Sequence, residues 1–203
     1  VKEKGIHVVR RITGGGAVYH DLGNINYSFI IKNMKKADYD FSKFTIPIIK
    51  ALKKFGVESE LSGRNDITID GKKFSGNAQV VKNSKLLHHG TLLFDSKMDE
   101  LTKALNVSED KFTSKGVKSV RARVTNIKDY MSEDITVSEF KEMLLKFMFD
   151  EDKELKEGTL CQKDYDEINS LMENKYLTWE WNYGKSPEFN VKQSKRFPSG
   201  KIE

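Results

Sequence analysis

An α+β fold is what this sequence predicts, with a mixed or antiparallel sheet and flanking helices, and three observations predict it. Runs rich in β-branched and aromatic residues alternate with segments whose apolar residues recur at helical spacing. An Asp70-Gly71 pair between alternating residues is the strongest short-range signal for a two-residue hairpin, and so for antiparallel pairing. The strand signals concentrate in the first half of the chain, which reads as the sheet-rich half.

Taken in order, residues 6–12 and 25–32 read as strands on either side of a glycine-rich loop. Phe41, Phe44, Ile48, Ile49, Leu52 and Phe55 then mark a helix that Gly56 ends, with Pro47 inside it as a kink or a shifted start. Short strands follow, separated by Ser62-Gly63-Arg64-Asn65 and by Asp70-Gly71, then a longer apolar strand over 86–94 and a helix near 96–105. Residues 106–130 read as a Lys- and Ser-bearing loop. Val137, Phe140, Leu144, Phe147 and Met148 give a helix over 136–149 with Thr136 or Ser138 as its cap, and a last helix spans about 162–176.

The chain has 203 residues, 37% of them hydrophobic, enough to fill a sizeable core. Its formal net charge of +5 favours anionic ligands or an acidic partner, but the charges are interspersed and no long basic run points to nucleic acid. A single cysteine, Cys161, excludes an internal disulfide and a cysteine metal site, which fits a reducing cytoplasm. No apolar stretch reaches membrane-spanning length. Cys161 reads as a buried, inert residue. Val1 at one end and Gly200-Lys201-Ile202-Glu203 at the other look like cuts from something longer.

Two segments carry chemistry. The run from Arg10 to Asn24 sets Gly14, Gly15 and Gly16 between paired arginines and a polar cluster. Backbone N–H groups of such a loop can close on a phosphate or carboxylate, with guanidinium groups adding bidentate bonds. A lone glycine run would read as a tight turn; the flanking residues shift that reading. The second segment is the Asp70-Gly71 hairpin. A type I′ turn there pairs Ile69 with Lys72, Thr68 with Lys73, Ile67 with Phe74 and Asp66 with Ser75. Ile67, Ile69 and Phe74 then line one face and Asp66, Thr68, Lys73 and Ser75 the other, with Asp66 and Lys73 as diagonal neighbours roughly 7–8 Å apart. That spacing suits an acid and an amine gripping one polar ligand, and Gly76-Asn77-Ala78 beside them allows its close approach.

These residues resemble the lipoate-protein ligases of the biotin and lipoate protein ligase superfamily. The resemblance is carried by Arg10-Arg11-x-Thr13-Gly14-Gly15-Gly16-Ala17-Val18-Tyr19-His20-Asp21-Leu22-Gly23-Asn24, Gly63-Arg64-Asn65-Asp66-Ile67, Lys73-Phe74-Ser75-Gly76-Asn77-Ala78, His88-His89-Gly90-Thr91-Leu92-Leu93, the 119–126 run through Arg121 and Arg123, and Trp179 to Pro187. It implies a two-step acyl transfer in lipoate salvage. Lipoate and ATP give lipoyl-AMP and pyrophosphate; the adenylate then acylates a lysine of an acceptor lipoyl domain. It further implies that Lys73 is the catalytic lysine and touches both nucleotide and lipoate. Arg11, Gly16, Ala17, Val18, Tyr19, Asn24 and Asp66 would bind ATP, with Asp66 a ligand for Mg²⁺. Arg11, Gly15, Gly16, His20, Gly76, Ala78 and His89 would line the lipoate site, although His20 and His89 read equally as structural histidines. Lys115, Gly116, Arg121 and Arg123 would form a loop over the adenylate that keeps water from a hydrolysis-prone anhydride. The implied acceptors are lipoyl domains of 2-oxoacid dehydrogenase complexes or the glycine-cleavage H protein, and the protein is expected to be a monomer.

The family's catalytic domain ordinarily begins with a helix and strand before the arginine pair. The chain therefore reads as a catalytic domain over 1–196, lacking its N-terminal part, with 197–203 opening an accessory domain. Two rivals stand beside this reading. An octanoyl- or lipoyl-transferase of the same fold would need a nucleophilic thiol, for which Cys161 is the single candidate. A non-catalytic adenylate- or lipoyl-domain-binding module would not need Lys73 and Asp66. Lipoate and octanoate are not distinguished, because an apolar channel discriminates by only about 1–3 kcal/mol per methylene.

Overall fold

The computed structural model describes residues 5–32, 40–105, 123–149, 156–184, 195–197 and 200–202. The chain divides into two compact units, one of Ile12–Lys156 and one of Val1–Arg11 with Glu157–Glu203.

In the larger unit, strands β1 (Asn24–Lys32), β2 (Glu60–Ser62), β3 (Asp66–Ile69), β4 (Lys72–Lys82) and β5 (Lys85–Leu93) form one sheet in the order β1-β5-β4-β3-β2, and every pair is antiparallel. Asp70 and Gly71 both have positive φ, 50° and 72°, as the type I′ turn demands. Asn83 and Ser84, at φ 51° and 58°, make the next turn in the same way. That second hairpin is absent from the sequence reading, which begins the long strand only at 86. Asn-Ser is a weaker turn signal than Asp-Gly, and the apolar run hides the pairing. A second difference lies at residues 6–12, which form no strand. Their β-branched residues satisfy propensity, but no neighbouring strand pairs with them among the described residues.

One face of the sheet is covered by α1 (Ser42–Lys54) and α3 (Val137–Met148). Ile48, Ala51 and Leu52 of α1 and Phe140 and Leu144 of α3 join Ile67, Ile69, Phe74, Leu92 and Phe94 in a single buried cluster. Phe94 and Phe140 stack at 4.3 Å between ring centroids. Asp40 starts α1 by accepting hydrogen bonds from the Ser42 hydroxyl (2.6 Å) and backbone N–H (2.9 Å), and these bonds hold its carboxyl below the usual range. Pro47 is accommodated inside the helix, and Val57 N–H to Leu52 O with Gly56 N–H to Lys53 O closes it as a Schellman motif. Thr136 and Glu139 cap α3 reciprocally, as the sequence suggests. The short helix α2 (Met98–Ala104) is one turn shorter than its periodicity implies.

The Asp21-Leu22-Gly23-Asn24 run is structural. Asp21 accepts from Gly23 N–H (2.9 Å) and from Lys97 N–H (2.8 Å) at the entry to α2, while Gly23 O accepts from both Phe94 and Asp95 N–H. Any Cβ on Gly23 would run into the Asp95 backbone carbonyl.

The smaller unit contains α4 (Gln162–Leu171), which passes into a π-helical turn over Met172–Tyr176 instead of continuing as α-helix, a second such turn over Glu180–Gly184, and a hairpin of β6 (Lys195–Phe197) and β7 (Gly200–Ile202). Arg10 is bound there: its N–H meets Asn182 Oδ1 (2.8 Å), its guanidinium donates to Asn182 O (3.1 and 3.2 Å), and Trp181 Nε1 donates to Arg10 O (2.8 Å). Cys161 caps α4 and is exposed, the reverse of the buried residue expected. An amphipathic α4 without buried residues leaves its first position open to solvent.

Two measurements test this account. Gly23→Ala forces apart two backbones packed at contact and should cost about 3 kcal/mol or more, read as a lowered Tm. The second concerns His88, fully buried between strands and α1, where burial, with a smaller push from the His89 charge, lowers its pKa from 6.5 to about 4. A histidine held neutral in the fold but basic when unfolded contributes stability above pH 6.5 that disappears as the pH falls toward 4, roughly 3 kcal/mol in all. Melting curves across that window should show the loss, and His88→Gln should flatten it.

Candidate functional site

The open face of the sheet, opposite α1 and α3, gathers the polar residues singled out in the sequence. What brings them together is a β-bulge. Ile69 pairs with Lys72 and Thr68 with Lys73 as the hairpin predicts, but the register then shifts, so that Ile67 pairs with Ser75 and Asp66 with Gly76. The expected pairs Ile67–Phe74 and Asp66–Ser75 do not form. Phe74 and Ser75 consequently both turn into the protein, at 0% and 1% exposure, and Ser75 leaves the face it was expected to share with Lys73. Beyond the bulge Gly76 and Ala78 take the open face with Lys73.

Asp66 and Lys73 do not stand apart as their diagonal positions suggested. Lys73 Nζ lies 2.7 Å from Asp66 Oδ1, because long side chains on one face close a gap that the backbone leaves. The amine lies over Gly76, where an added Cβ would sit 2.9 Å from Nζ and 3.0 Å from Cε. The pair is 41% and 35% exposed, so it adds about 0–1 kcal/mol to stability and its value is positional. Lys73 is fixed along its backbone as well. Its N–H donates to Arg123 O (2.8 Å), and its carbonyl accepts from Thr125 N–H (3.0 Å), a bridge centred on Val124. The 119–126 run thus reaches the site through main-chain bonds, at Arg123; Lys115, Gly116 and Arg121 lie outside the described residues.

The glycine loop is anchored to the same face. Thr13, 8% exposed, bonds through Oγ1 to His89 Nε2 at 2.6 Å, and His89 stands beside Ala78 in the β4–β5 register. Gly14, Gly15, Gly16, Ala17 and Val18 follow as exposed loop, with Gly15 at φ 114°. At the loop's far end Asn24 Nδ2 donates to His20 Nδ1 (2.8 Å) and approaches Asn26 Oδ1 (3.3 Å), while Asn24 Oδ1 is enclosed without a hydrogen-bond partner. Tyr19 packs against the core cluster. Arg11 belongs to the smaller unit.

Beneath the site runs a polar network that sequence reasoning missed. Asn77 bonds to Asn65 three times: its N–H and its Nδ2 donate to Asn65 O (2.9 and 3.0 Å), and Asn65 Nδ2 donates to Asn77 O (2.9 Å). Asn77 Oδ1 accepts from the Tyr27 hydroxyl and lies 3.2 Å from His88 Nε2, and Gln79 Nε2 lies 3.0 Å from His88 Nδ1. Since the Asn77 amide nitrogen is spent on Asn65, its oxygen faces His88, which must carry its proton on Nε2. Burial raises the Tyr27 pKa, so this hydroxyl stays a donor. Polar residues at inward positions of strands that otherwise read apolar were the signal available for this network.

Asp66 meets the requirement for Mg²⁺ in kind: this ion is held by one or two carboxylates, with nucleotide phosphates and water as its other ligands. Among the described residues there is no group of three or more His, Cys, Asp or Glu side chains suited to an all-protein metal site.

Comparison with known proteins places this geometry. The model for the lipoyl protein ligase A/B catalytic domain matches residues 1–149. The lipoate-protein ligase LplJ of Bacillus subtilis is 49% identical over all of this chain and 62% of its own length. The solved bipartite lipoate protein ligase of Thermoplasma acidophilum, studied with its E2 lipoyl domain, superposes with a TM-score of 0.78 at 31% identity, covering 94% of this chain and 75% of that one. A lipoate-protein ligase A bound with ATP superposes at 0.74 with 29% identity, covering 90% and 74%. The chain spans about three-fifths of the length of the curated relatives it matches. With Lys73, Asp66 and the glycine loop assembled on one sheet face, the chain belongs to the lipoyl protein ligase A/B catalytic-domain family.

Proposed function

We propose that this protein activates lipoate with ATP and transfers the lipoyl group to a lysine of acceptor lipoyl domains. The observation that carries the reading is the Lys73 amine held against Asp66 above a residue without a side chain, on the face where the glycine loop is anchored. In the first step a lipoate carboxylate oxygen attacks the α-phosphorus of ATP, an acyl–phosphate bond forms and pyrophosphate leaves. Negative charge crowds at that phosphorus, and the Lys73 ammonium offsets it, touching the α-phosphate and the acyl carbonyl oxygen together. A compact charge on strands pinned from both sides does this without reorganising. In the second step the acceptor amine attacks the acyl carbonyl, an amide forms, the acyl–phosphate bond breaks and AMP leaves. Asp66 would hold Mg²⁺, which when bound neutralises phosphate charge.

Arg11, Gly16, Ala17, Val18, Tyr19 and Asn24 are assigned to ATP, and Arg11, Gly15, Gly16, His20, Gly76, Ala78 and His89 to lipoate. Past Ser28, His89 and Ala78 the open face becomes apolar at Ile30, Leu87 and Val80, which suits an aliphatic acyl chain. Lys115, Gly116, Arg121 and Arg123 are assigned to a loop over the adenylate, a role supported by the attachment of Arg123 to the Lys73 backbone. The acceptors are lipoyl domains of 2-oxoacid dehydrogenase complexes or the glycine-cleavage H protein. A lipoate-protein ligase solved with ATP and another studied with a lipoyl domain support nucleotide and acceptor class.

The test is incubation with ATP, Mg²⁺, lipoate and candidate acceptor domains, read by pyrophosphate release and by intact acceptor mass. Lipoate-dependent pyrophosphate release and an acceptor heavier by one lipoyl group are expected. Acyl transfer without ATP, abolished by Cys161→Ser, would instead establish a thiol transferase, and neither reaction a binding module. Lys73→Ala should cut pyrophosphate release about 100-fold or more with the fold retained, since its side chain supports no core. Gly76→Ala should keep Tm within a few degrees yet lower turnover about tenfold, because the new methyl displaces the amine.

A further inference from the structure

We infer that Asn77 is a positioning residue for Lys73, acting from the opposite face of the sheet. The inference rests on the ligase reading for its kinetic consequence, but its geometric content stands apart from it. The bulge leaves the strand a choice of register past Phe74: Asp66 could pair with Ser75 or with Gly76. Gly76 in that pairing lets the Lys73 amine lie across it to Asp66; Ser75 there would put a side chain in its path. The flanking residues, Asn77 in β4 and Asn65 in the turn just before β3, make three hydrogen bonds with each other that lock this register, immediately beside the Asp66–Gly76 pair.

The position requires a primary amide. Asn77, itself 5% exposed, donates through Nδ2 to Asn65 O and to Ser75 Oγ (3.3 Å), and its Oδ1 accepts from Tyr27 and His88. Aspartate lacks the donors, serine has one, and leucine has neither kind of group. Asn77 is therefore satisfied only when Asn65 is seated, and seating Asn65 seats Asp66 next to it. The ammonium is thus aimed by a residue that touches neither substrate. A displacement of about 1 Å at such a centre costs about 100-fold in rate.

The test reads Lys73 directly. Lysines of the folded protein are reductively methylated with ¹³C-formaldehyde, and the Lys73 resonance is assigned by its loss in Lys73→Arg. Asn77→Leu should move that resonance to where Asp66→Asn moves it, the position of an amine without its carboxylate. Pyrophosphate release should fall about tenfold or more, with KM for ATP and lipoate changed less than about threefold. Ile48→Val, which removes a methyl from the α1 core and no hydrogen-bonding group, should lower Tm while leaving the resonance in place. If Asn77→Leu does not fold, Asn65→Ala removes the side-chain bond from Asn65 Nδ2 to Asn77 O at the partly exposed end of the clamp and should move the resonance in the same direction. A Lys73 resonance at the wild-type position in the folded clamp variant overturns the inference, whatever the activity. A shifted resonance in a protein that never releases pyrophosphate upholds the positioning and defeats the ligase reading instead.

Discussion

A single extra residue in β4 is the constraint on which the site depends. Side chains of a strand alternate between faces, so Lys73 and Gly76, three positions apart, would face opposite sides of a regular sheet. By taking Phe74 and Ser75 inward together, the bulge returns Gly76 to the side of Lys73. The same shift sets Asp66 across from Gly76 and within 2.7 Å of the lysine amine. Lys73 is then held from both sides, by Thr68 in the sheet and by the Arg123–Thr125 segment at its other edge. A flexible side chain is aimed by an inflexible backbone.

The sheet divides its labour between two faces. Toward the open side stand the ion pair, the glycine position, Ala78 and His89. Toward α1 and α3 stand Phe74, Leu92 and Ile67, and among them a polar chain of Tyr27, Asn77, His88 and Gln79. Burial penalises the charged form, so His88 is neutral there, bonded at both ring nitrogens and stacked on Phe44 at 4.6 Å. A network of this kind specifies one register where an apolar core would tolerate slippage.

The glycine-rich run also serves two ends. Just before the glycines Thr13 is tied to His89 on the site face, and the last part of the run, Asp21 to Gly23, stitches β1 to the entry of α2. Between these anchors Gly14 to Val18 stay exposed, so the loop is fixed at its ends and open to solvent along its middle. In the smaller unit Arg10 is bonded to Asn182 and Trp181, which accounts for the Trp179–Gly184 block as the seat of the arginine pair's first member.

Much of this was legible in the residues. The Asp70-Gly71 turn, the apolar spacing of α1 and α3 and the Thr136 cap are local signals, each settled by a few neighbours in sequence, and each appears where the chain predicts it. The motif blocks likewise named Lys73 and Asp66 before their contact was visible. The bulge, the strand absent from residues 6–12, the Asn83-Ser84 hairpin and the exposure of Cys161 were not legible in this way. Whether a strand slips by one residue, or an extended segment finds a partner, depends on hydrogen bonds to residues far along the chain. Sequence alone therefore determined which chemical groups this protein owns and which short elements carry them; the tertiary structure decided which face each group occupies, because facing is a property of pairing and not of composition.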